Sequence, residues 1–228
     1  MVRSTSPLLT NCGENIYARL TVMGSLIIEI KGNDRYKAIV LDGSEMQTYC
    51  DEEDLDFSKA EGLKAYIATG FNAATSEVQM LQVCDAPAGT GLLLVGQPGC
   101  YLAERATLDS VYDSDMLVGV LGDTKLVESI EDSYSNYDFH DNKFNVISKS
   151  AYIYRNEAYL RVPTQDANGI QTISPVFGGS TGINSLSTDC QSFNIFTVTG
   201  VLVKKNATSL RGLKKGVYIV KGQKVVVR

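Results

Sequence analysis

Short apolar runs, separated by glycine, asparagine and proline, make up most of this 228-residue chain. The first runs span residues 16–22 and 26–31, and a third covers Tyr36–Leu41. β-Branched and aromatic residues dominate these runs, which is typical of strands joined by tight turns. Long helical periodicity is missing almost everywhere, and only Asp109–Leu117 could hold one helical turn. The pattern predicts an all-β fold, either an antiparallel sandwich or a partly closed barrel.

One run is apolar at every position. Leu92–Val95 has no polar residue to turn toward solvent, so both of its faces should be covered. Gly89 and Gly91 precede this run and allow the chain to turn into it. A phosphate-binding loop is not indicated, because neither the Walker pattern nor a following helix is present. We therefore expect Leu92–Val95 to be a central strand.

The C-terminal segment has its own pattern. Phe193–Val203 predicts a strand that Gly200 breaks, and a polar connector follows over Lys204–Ser209. Two short apolar runs then lie on either side of Lys221-Gly222, which predicts a hairpin. Lysine and arginine collect after Val203, and a solvated strand edge explains them.

This segment resembles the C-terminal sorting domain of proteins that Bacteroidetes secrete through the type IX system. The similarity rests on the Gly200 turn, the block Leu213–Val220 and the ending Lys224–Arg228. The resemblance implies an address that the secretion machinery reads and often removes, and hence a secreted or cell-surface location. The residues expected to carry this signal are Gly200, Gly216, Tyr218, Gly222, Lys224 and Arg228.

The preceding part of the chain, from about Tyr49 to Ile183, resembles a module that recurs in secreted and surface proteins of the Bacteroidales. The similarity is carried by Leu55-Asp-Phe-Ser, by Gly62-Leu-Lys-Ala-Tyr66 and by the run that starts at Pro87-Ala-Gly. Further matching blocks are Met116–Gly119, Phe144–Val146, Ala158–Pro163 and Val176–Ile183. The resemblance implies a location and a fold class, and it implies no particular chemistry.

We expect two parts in this chain. Residues 1–180 form the all-β module, either as one unit or as two related units at about 1–105 and 106–180, and residues 181–228 form the tail with its small hairpin. Gly178–Gly182 reads as a flexible joint between them. The start lacks the continuous apolar run of a secretory signal. We therefore expect a removed leader, a longer parent protein or a misplaced gene start.

Net charge and hydropathy limit the classes of partner that the chain is expected to bind. The net charge of -5 and the pI near 5.0 argue against broad nucleic-acid binding, which needs a basic face. No run approaches the roughly 18 apolar residues of a membrane span. The expected partners are the secretion machinery and a cell-surface glycan or protein, without nucleic acid and without a membrane span.

The polar candidates for chemistry are few. His140 is the only histidine, and its context predicts an exposed turn residue rather than a catalytic base. The acidic clusters at Asp51–Asp56 and at Asp109, Asp113 and Asp115 are either solvated loops or calcium ligands. We predict no catalytic residue, no metal site and no cofactor.

Five cysteines occur without a CxxC motif, which argues against redox and zinc-ribbon sites. They are interpreted as small buried hydrophobic residues. One disulfide, between Cys84 and Cys100, is an alternative in an exported protein.

Tyrosines supply the remaining candidate site. The chain has 12 Tyr and no Trp, and Tyr134, Tyr137, Tyr152 and Tyr154 fall in one region. These rings could form a platform for a carbohydrate. Alternatively, alternate tyrosines such as Tyr152 and Tyr154 line one face of a strand and pack on the sheet.

Three function hypotheses follow. The first is a non-enzymatic accessory or interaction module of an exported cell-surface protein, whose tail acts as a secretion and anchoring signal. The second is a carbohydrate-binding module. The third is a hydrolase, which would need two carboxylates facing each other across a cleft.

Overall fold

The computed structural model describes residues 16–20, 26–30, 35–41, 43–108, 112, 116–177, 193–207, 210, 212–220 and 223–227. Within these ranges nearly all regular structure is β, as the alternating and fully apolar runs predicted. The regular α-helix described is one short turn, α1 (Thr164–Ala167), which the sequence pattern did not predict. The predicted turn at Asp109–Leu117 falls largely outside the described residues.

The described strands are short and follow one another closely along the chain. In order they are β1 (Ile16–Leu20), β2 (Leu26–Ile30), β3 (Tyr36–Leu41), β4 (Met46–Tyr49), β5 (Leu55–Asp56), β6 (Lys64–Asn72), β7 (Glu77–Val83), β8 (Asp85–Ala86), β9 (Leu92–Val95), β10 (Gly99–Arg105), β11 (Leu117–Gly119), β12 (Lys125–Glu128), β13 (Ile130–Glu131), β14 (Tyr134–His140), β15 (Lys143–Val146), β16 (Ser150–Ile153), β17 (Ala158–Pro163), β18 (Thr172–Phe177), β19 (Phe193–Thr197), β20 (Leu202–Ala207), β21 (Gly216–Val220) and β22 (Gln223–Val227).

The largest sheet is a nearly closed barrel of ten strands. Its order is β11-β17-β14-β15-β18-β7-β6-β9-β4, and the short strand β13 pairs with β14. Neighbours along this path are antiparallel except β18 and β7, which pair in parallel. This sheet takes strands from both of the ranges in which two related units were expected.

The sides of the barrel meet where β4 ends and β17 begins. The amide of Cys50 donates to the carbonyl of Asn156 at 2.9 Å, and the Asn156 side-chain amide donates back to the Cys50 carbonyl at 2.7 Å. An isolated bridge between Thr90 and Val118 adds a second link nearby. We call the Cys50–Asn156 hydrogen bonds, with the neighbouring Gly119, the seam.

Gly119 is required at the seam because the chain passes so close to it. A Cβ built on Gly119 would clash with the Cys50 thiol, and it would lie 2.8 Å from the Cys50 Cβ and 3.0 Å from the Gly89 carbonyl oxygen. Real Cβ atoms essentially never come within 3.0 Å of such neighbours, so any side chain here would push the two segments apart.

Two hydrophobic clusters lie on opposite faces of β6, β7 and β9. Alternation along β9 sends Leu93 into the barrel interior and its neighbours Leu92 and Leu94 into the other cluster. All three side chains are buried. β9 is hydrogen-bonded to β6 on one side and β4 on the other, which confirms the predicted central strand.

The cluster outside the barrel is shared by three sheets. It joins the outer face of β6, β7 and β9 to the sheet β3-β10-β5-β8 and to a C-terminal sheet of order β20-β19-β21-β22. The C-terminal sheet contributes Ile195, Ala207, Tyr218, Val220, Val225 and Val227. This segment therefore packs on the same core as the residues before it.

The C-terminal sheet is larger than the hairpin predicted from sequence. The expected hairpin is present as β21 and β22, and the break at Gly200 is a turn between β19 and β20. We predicted a polar connector at Lys204–Ser209. This prediction is wrong for Lys204–Ala207, because these residues continue β20. The joint at Gly178–Gly182 and the Lys221-Gly222 turn lie outside the described residues.

Of the three described cysteines, one is a free thiol and two form disulfide bonds. Cys50 is buried and keeps its thiol, whereas Cys84 and Cys100 are each disulfide-bonded. The interpretation of the cysteines as small buried residues therefore holds for Cys50.

Strand register excludes a bond between Cys84 and Cys100. Asp85 lies opposite Asp56, which lies opposite Glu104, so Cys84 and Cys100 are two strands and about three residues apart. That separation exceeds about 10 Å, whereas bonded cysteines keep their Cα atoms within about 7 Å. The predicted Cys84–Cys100 pairing is therefore wrong. Each of the two residues is disulfide-bonded, but not to the other.

Among the described helices, none has the length and apolar character to cross a membrane.

Replacing Gly119 by alanine tests the close approach at the seam. We expect G119A to lower the free energy of unfolding by about 1–3 kcal/mol, because the new methyl group overpacks against Cys50. The measurement is urea-induced unfolding followed by far-UV circular dichroism. In a C50G background the same substitution should cost clearly less, since the thiol and Cβ are gone.

Gly70 is the matched control for this experiment. It also lies in a strand, and a Cβ built on it would meet no heavy atom within 4 Å. G70A should therefore stay within about 0.5 kcal/mol of the wild type. Equal stability of G119A and G70A would contradict the close approach.

Candidate functional site

A groove of about 670 Å³ opens beside the seam. Three segments line it: the turn and strand at residues 43–48, the end of the β14–β15 hairpin at 138–142, and the stretch from the end of β16 to the start of β17 at 152–158. The volume lies within the roughly 300–1,000 Å³ of small-ligand sites. We call it the groove throughout.

Two exposed aromatic rings stand on one wall of the groove. Tyr152 is 66% exposed and Tyr154 is 60% exposed. Tyr152 belongs to the small two-stranded sheet β12–β16, where it lies opposite the exposed Leu126. The inner face of that sheet packs on the barrel through Val127 and Ile153, so its outer face is left to solvent. The interpretation in which Tyr152 and Tyr154 pack on a sheet is thus wrong.

The backbone around Tyr154 is held by a tight turn. The amide of Tyr154 donates to the Glu157 carboxylate at 3.0 Å, and the amide of Glu157 donates to the Tyr154 carbonyl at 3.1 Å. Asn156 within this turn makes the seam bonds to Cys50. The seam therefore fixes the position of the wall that carries Tyr154.

Polar groups occupy the other walls of the groove. His140 is an exposed residue at the end of β14, as predicted, and its Nδ1 lies 3.2 Å from the Asp138 carboxylate. On the wall preceding β4, Glu45 accepts a hydrogen bond from the Gln97 side chain at 2.8 Å. The remaining polar side chains that line it are Ser44, Gln47, Thr48, Asp141, Asn142 and Glu157.

The other two predicted tyrosines lie elsewhere. Tyr137 is fully buried in the barrel interior, and its hydroxyl donates to the Ile170 carbonyl at 2.9 Å. Tyr134 is outside the groove, and the Arg161 guanidinium covers its ring at 4.4 Å from the centroid. The structure thus brings Tyr152 and Tyr154 together and separates Tyr134 and Tyr137 from them.

The residues of the proposed sorting signal have different environments. Gly200 has a φ of +84° in the β19–β20 turn, a conformation that favours glycine. Tyr218 is buried, and its hydroxyl donates to the Lys214 carbonyl at 2.7 Å, while Gly216 opens β21 against the Tyr218 ring. Lys224 is exposed on β22. Gly222 and Arg228 lie outside the described residues.

A buried carboxylate forms a second polar centre, away from the groove. Asp51 accepts hydrogen bonds from the Tyr49 hydroxyl at 2.5 Å and from the Glu53 amide at 3.0 Å, and it forms an ion pair with Lys37 at 3.0 Å. Burial, followed by the nearby Asp51 charge, raises the pKa of Tyr49 well above its usual value. Because these partners satisfy both carboxylate oxygens, the arrangement fixes the loop after β4.

The acidic stretch that contains Asp51 makes contacts that hold loops together. Asp54 accepts hydrogen bonds from the Ala88 and Leu108 amides, each at 2.7 Å, so it also holds loops together. Within the described residues, no three His, Cys, Asp or Glu side chains are placed to hold a metal ion. The solvated-loop interpretation is wrong for Asp51, which is buried. Asp109, Asp113 and Asp115 lie outside the described ranges.

Sequence reasoning missed most of the groove. The segments that line it are separated by about ninety residues between 48 and 138, and no local motif links them. His140 was placed correctly as an exposed residue, but nothing in its local sequence connects it with Glu45 or Gln47. The pair Tyr152 and Tyr154 was the one local signal.

No protein-family model matches the chain, and neither the search of curated proteins nor the search of solved structures found a match.

Proposed function

We propose that this chain is a non-enzymatic interaction module of an exported, cell-surface protein and that its groove binds a glycan. The observation that supports this most is the pair of exposed rings, Tyr152 and Tyr154, beside a groove lined with hydrogen-bonding side chains. Exposed apolar surface next to convergent polar groups is typical of ligand sites.

Sugar chemistry matches this combination. A sugar ring has a C–H face that packs on an aromatic ring and a rim of hydroxyls that both donate and accept hydrogen bonds. In the groove, Tyr152 and Tyr154 offer the rings, whereas Gln47, Asp138 and His140 offer donors and acceptors. Stacking and hydrogen bonding of this kind would hold a sugar without any chemical step.

Replacing the two tyrosines tests the glycan site. We expect Y152A and Y154A each to weaken binding about fivefold, because each stacking contact contributes about 1 kcal/mol. The measurement is affinity electrophoresis against a panel of soluble neutral and charged polysaccharides, followed by calorimetry with the tightest binder.

Tyr134 is the matched control, because it is a partly exposed tyrosine outside the groove. Y134A should bind like the wild type. Absence of binding to every polysaccharide, or equal weakening in all three variants, would contradict the glycan site. Release of sugar products from a bound polysaccharide would contradict the non-enzymatic part.

The C-terminal sheet is our candidate for the secretion and anchoring signal, with the secretion machinery as its partner. Its resemblance to type IX sorting domains supports this role. The disulfide bonds of Cys84 and Cys100 also support export, since disulfides persist in oxidising compartments. Lys224 is exposed on this sheet and available to a receptor.

Surface delivery of the full chain tests the signal. The chain would carry a standard leader in a Bacteroidetes host with a working type IX system. We expect K224E to stay in the periplasm as folded protein, whereas K205E, which changes another exposed lysine of the same sheet, reaches the surface. Fractionation with surface proteolysis gives the readout.

Removal of residues 193–228 should also stop delivery, but it uncovers the shared core as well. The two point variants therefore decide the question. Surface delivery of the truncated chain, or equal delivery of K224E and K205E, would contradict the proposed signal.

A further inference from the structure

The turn between β19 and β20 exposes an apolar surface. Val198, Val201, Leu202 and Val203 are 44–62% exposed, and three of them are consecutive. Consecutive strand residues point to opposite faces, so both faces of this hairpin end are uncovered. We call Val198–Val203 the hairpin tip. Its shape is fixed by hydrogen bonds between Thr197 and Val201.

Lysines lie at the same end of the sheet as the hairpin tip. Thr197, the last residue of β19, pairs with Tyr218 near the start of β21, so the residues before β21 reach this end. These residues are Lys214 and Lys215, both exposed. The hydrogen bond from the Tyr218 hydroxyl to the Lys214 carbonyl holds them there.

Charge is divided unevenly along the chain. Residues 193–228 contain eight Lys and Arg and no Asp or Glu, a net charge of +8. The whole chain has a net charge of -5, so residues 1–192 carry -13. A basic C-terminal segment thus follows an acidic body.

We propose that the hairpin tip and its lysines dock on an anionic lipid surface. Basic residues are drawn to anionic headgroups, and apolar side chains next to them enter the boundary of the acyl chains. Lysines alone would be explained as protection of a sheet edge against strand pairing. Edge protection does not explain why Val201 and Leu202 are exposed. Lipid docking explains both the lysines and these exposed apolar residues.

Edge-to-edge pairing with a second copy fits this surface less well. Lys204 and Lys205 on the edge strand β20 oppose the addition of a second β20, because the lysines of two copies would meet. The proposal is independent of the groove and of export, because it concerns only the affinity of the purified chain for lipid.

Co-sedimentation of the full chain with vesicles tests the proposal. We expect binding to phosphatidylglycerol–phosphatidylcholine vesicles at about 0.1 M salt, a large loss at about 1 M salt, and no binding to pure phosphatidylcholine. K214E/K215E should weaken the partition at least about tenfold, given the contribution of each lysine near such a surface. V201S/L202S should weaken it severalfold.

Two control variants make matched changes elsewhere. K143E/K149E alters the net charge equally on exposed lysines outside the C-terminal sheet, and I130S replaces an exposed apolar residue of the barrel. Both should bind vesicles like the wild type. Absence of vesicle binding, equal binding to neutral vesicles, or equal loss in the control variants would overturn the proposal.

Concentration-dependent self-association, lost in K214E/K215E and observed without vesicle binding, would also overturn it. That result would assign the surface to the acidic body of a second copy.

Discussion

The close approach of Cys50 to Gly119 and Asn156 is the constraint on which the barrel depends. It brings together the two ends of the nearly closed ten-stranded sheet, at a point where a side chain on Gly119 would not fit. The same contact places residues 43–48, which lead into Cys50, beside residues 152–158, which contain Asn156. The groove therefore exists because the barrel closes where it does.

Burial on two faces determines the rest of the architecture. β6, β7 and β9 separate the barrel interior from an outer core that the C-terminal sheet completes. Buried residues such as Ile195 and Val225 make this sheet a structural part of the molecule. The proposed sorting signal would therefore have to lie on the outer surface of the sheet, which holds exposed lysines and the hairpin tip.

The sequence allowed the elements to be predicted better than the site. The apolar run Leu92–Val95 indicated a strand covered on both faces, because burial on two faces removes alternation. Tyr137 was misplaced as a ligand residue because nothing local reveals that it points into the barrel. Tyr152 stays a predicted ligand residue, and only the uncovered outer face of β12–β16 explains why its ring is exposed.

The groove was beyond sequence reasoning for a different reason. Its walls depend on the seam between Cys50 and Asn156, a contact across about a hundred residues for which the sequence contains no periodic or motif signal. The four-stranded C-terminal sheet was underestimated because Lys204 and Lys205 look like a polar connector. In an edge strand such lysines are solvated without ending the strand.

Chemical-shift mapping tests the central claim, glycan binding in the groove, most directly. Backbone amide spectra of the ¹⁵N-labelled chain would be recorded during titration with the tightest-binding polysaccharide, cut to short oligomers. The account predicts that the perturbed amides cluster at residues 43–48, 138–142 and 152–158. Perturbations confined to another face of the barrel, or no perturbation at saturating oligomer, would contradict it.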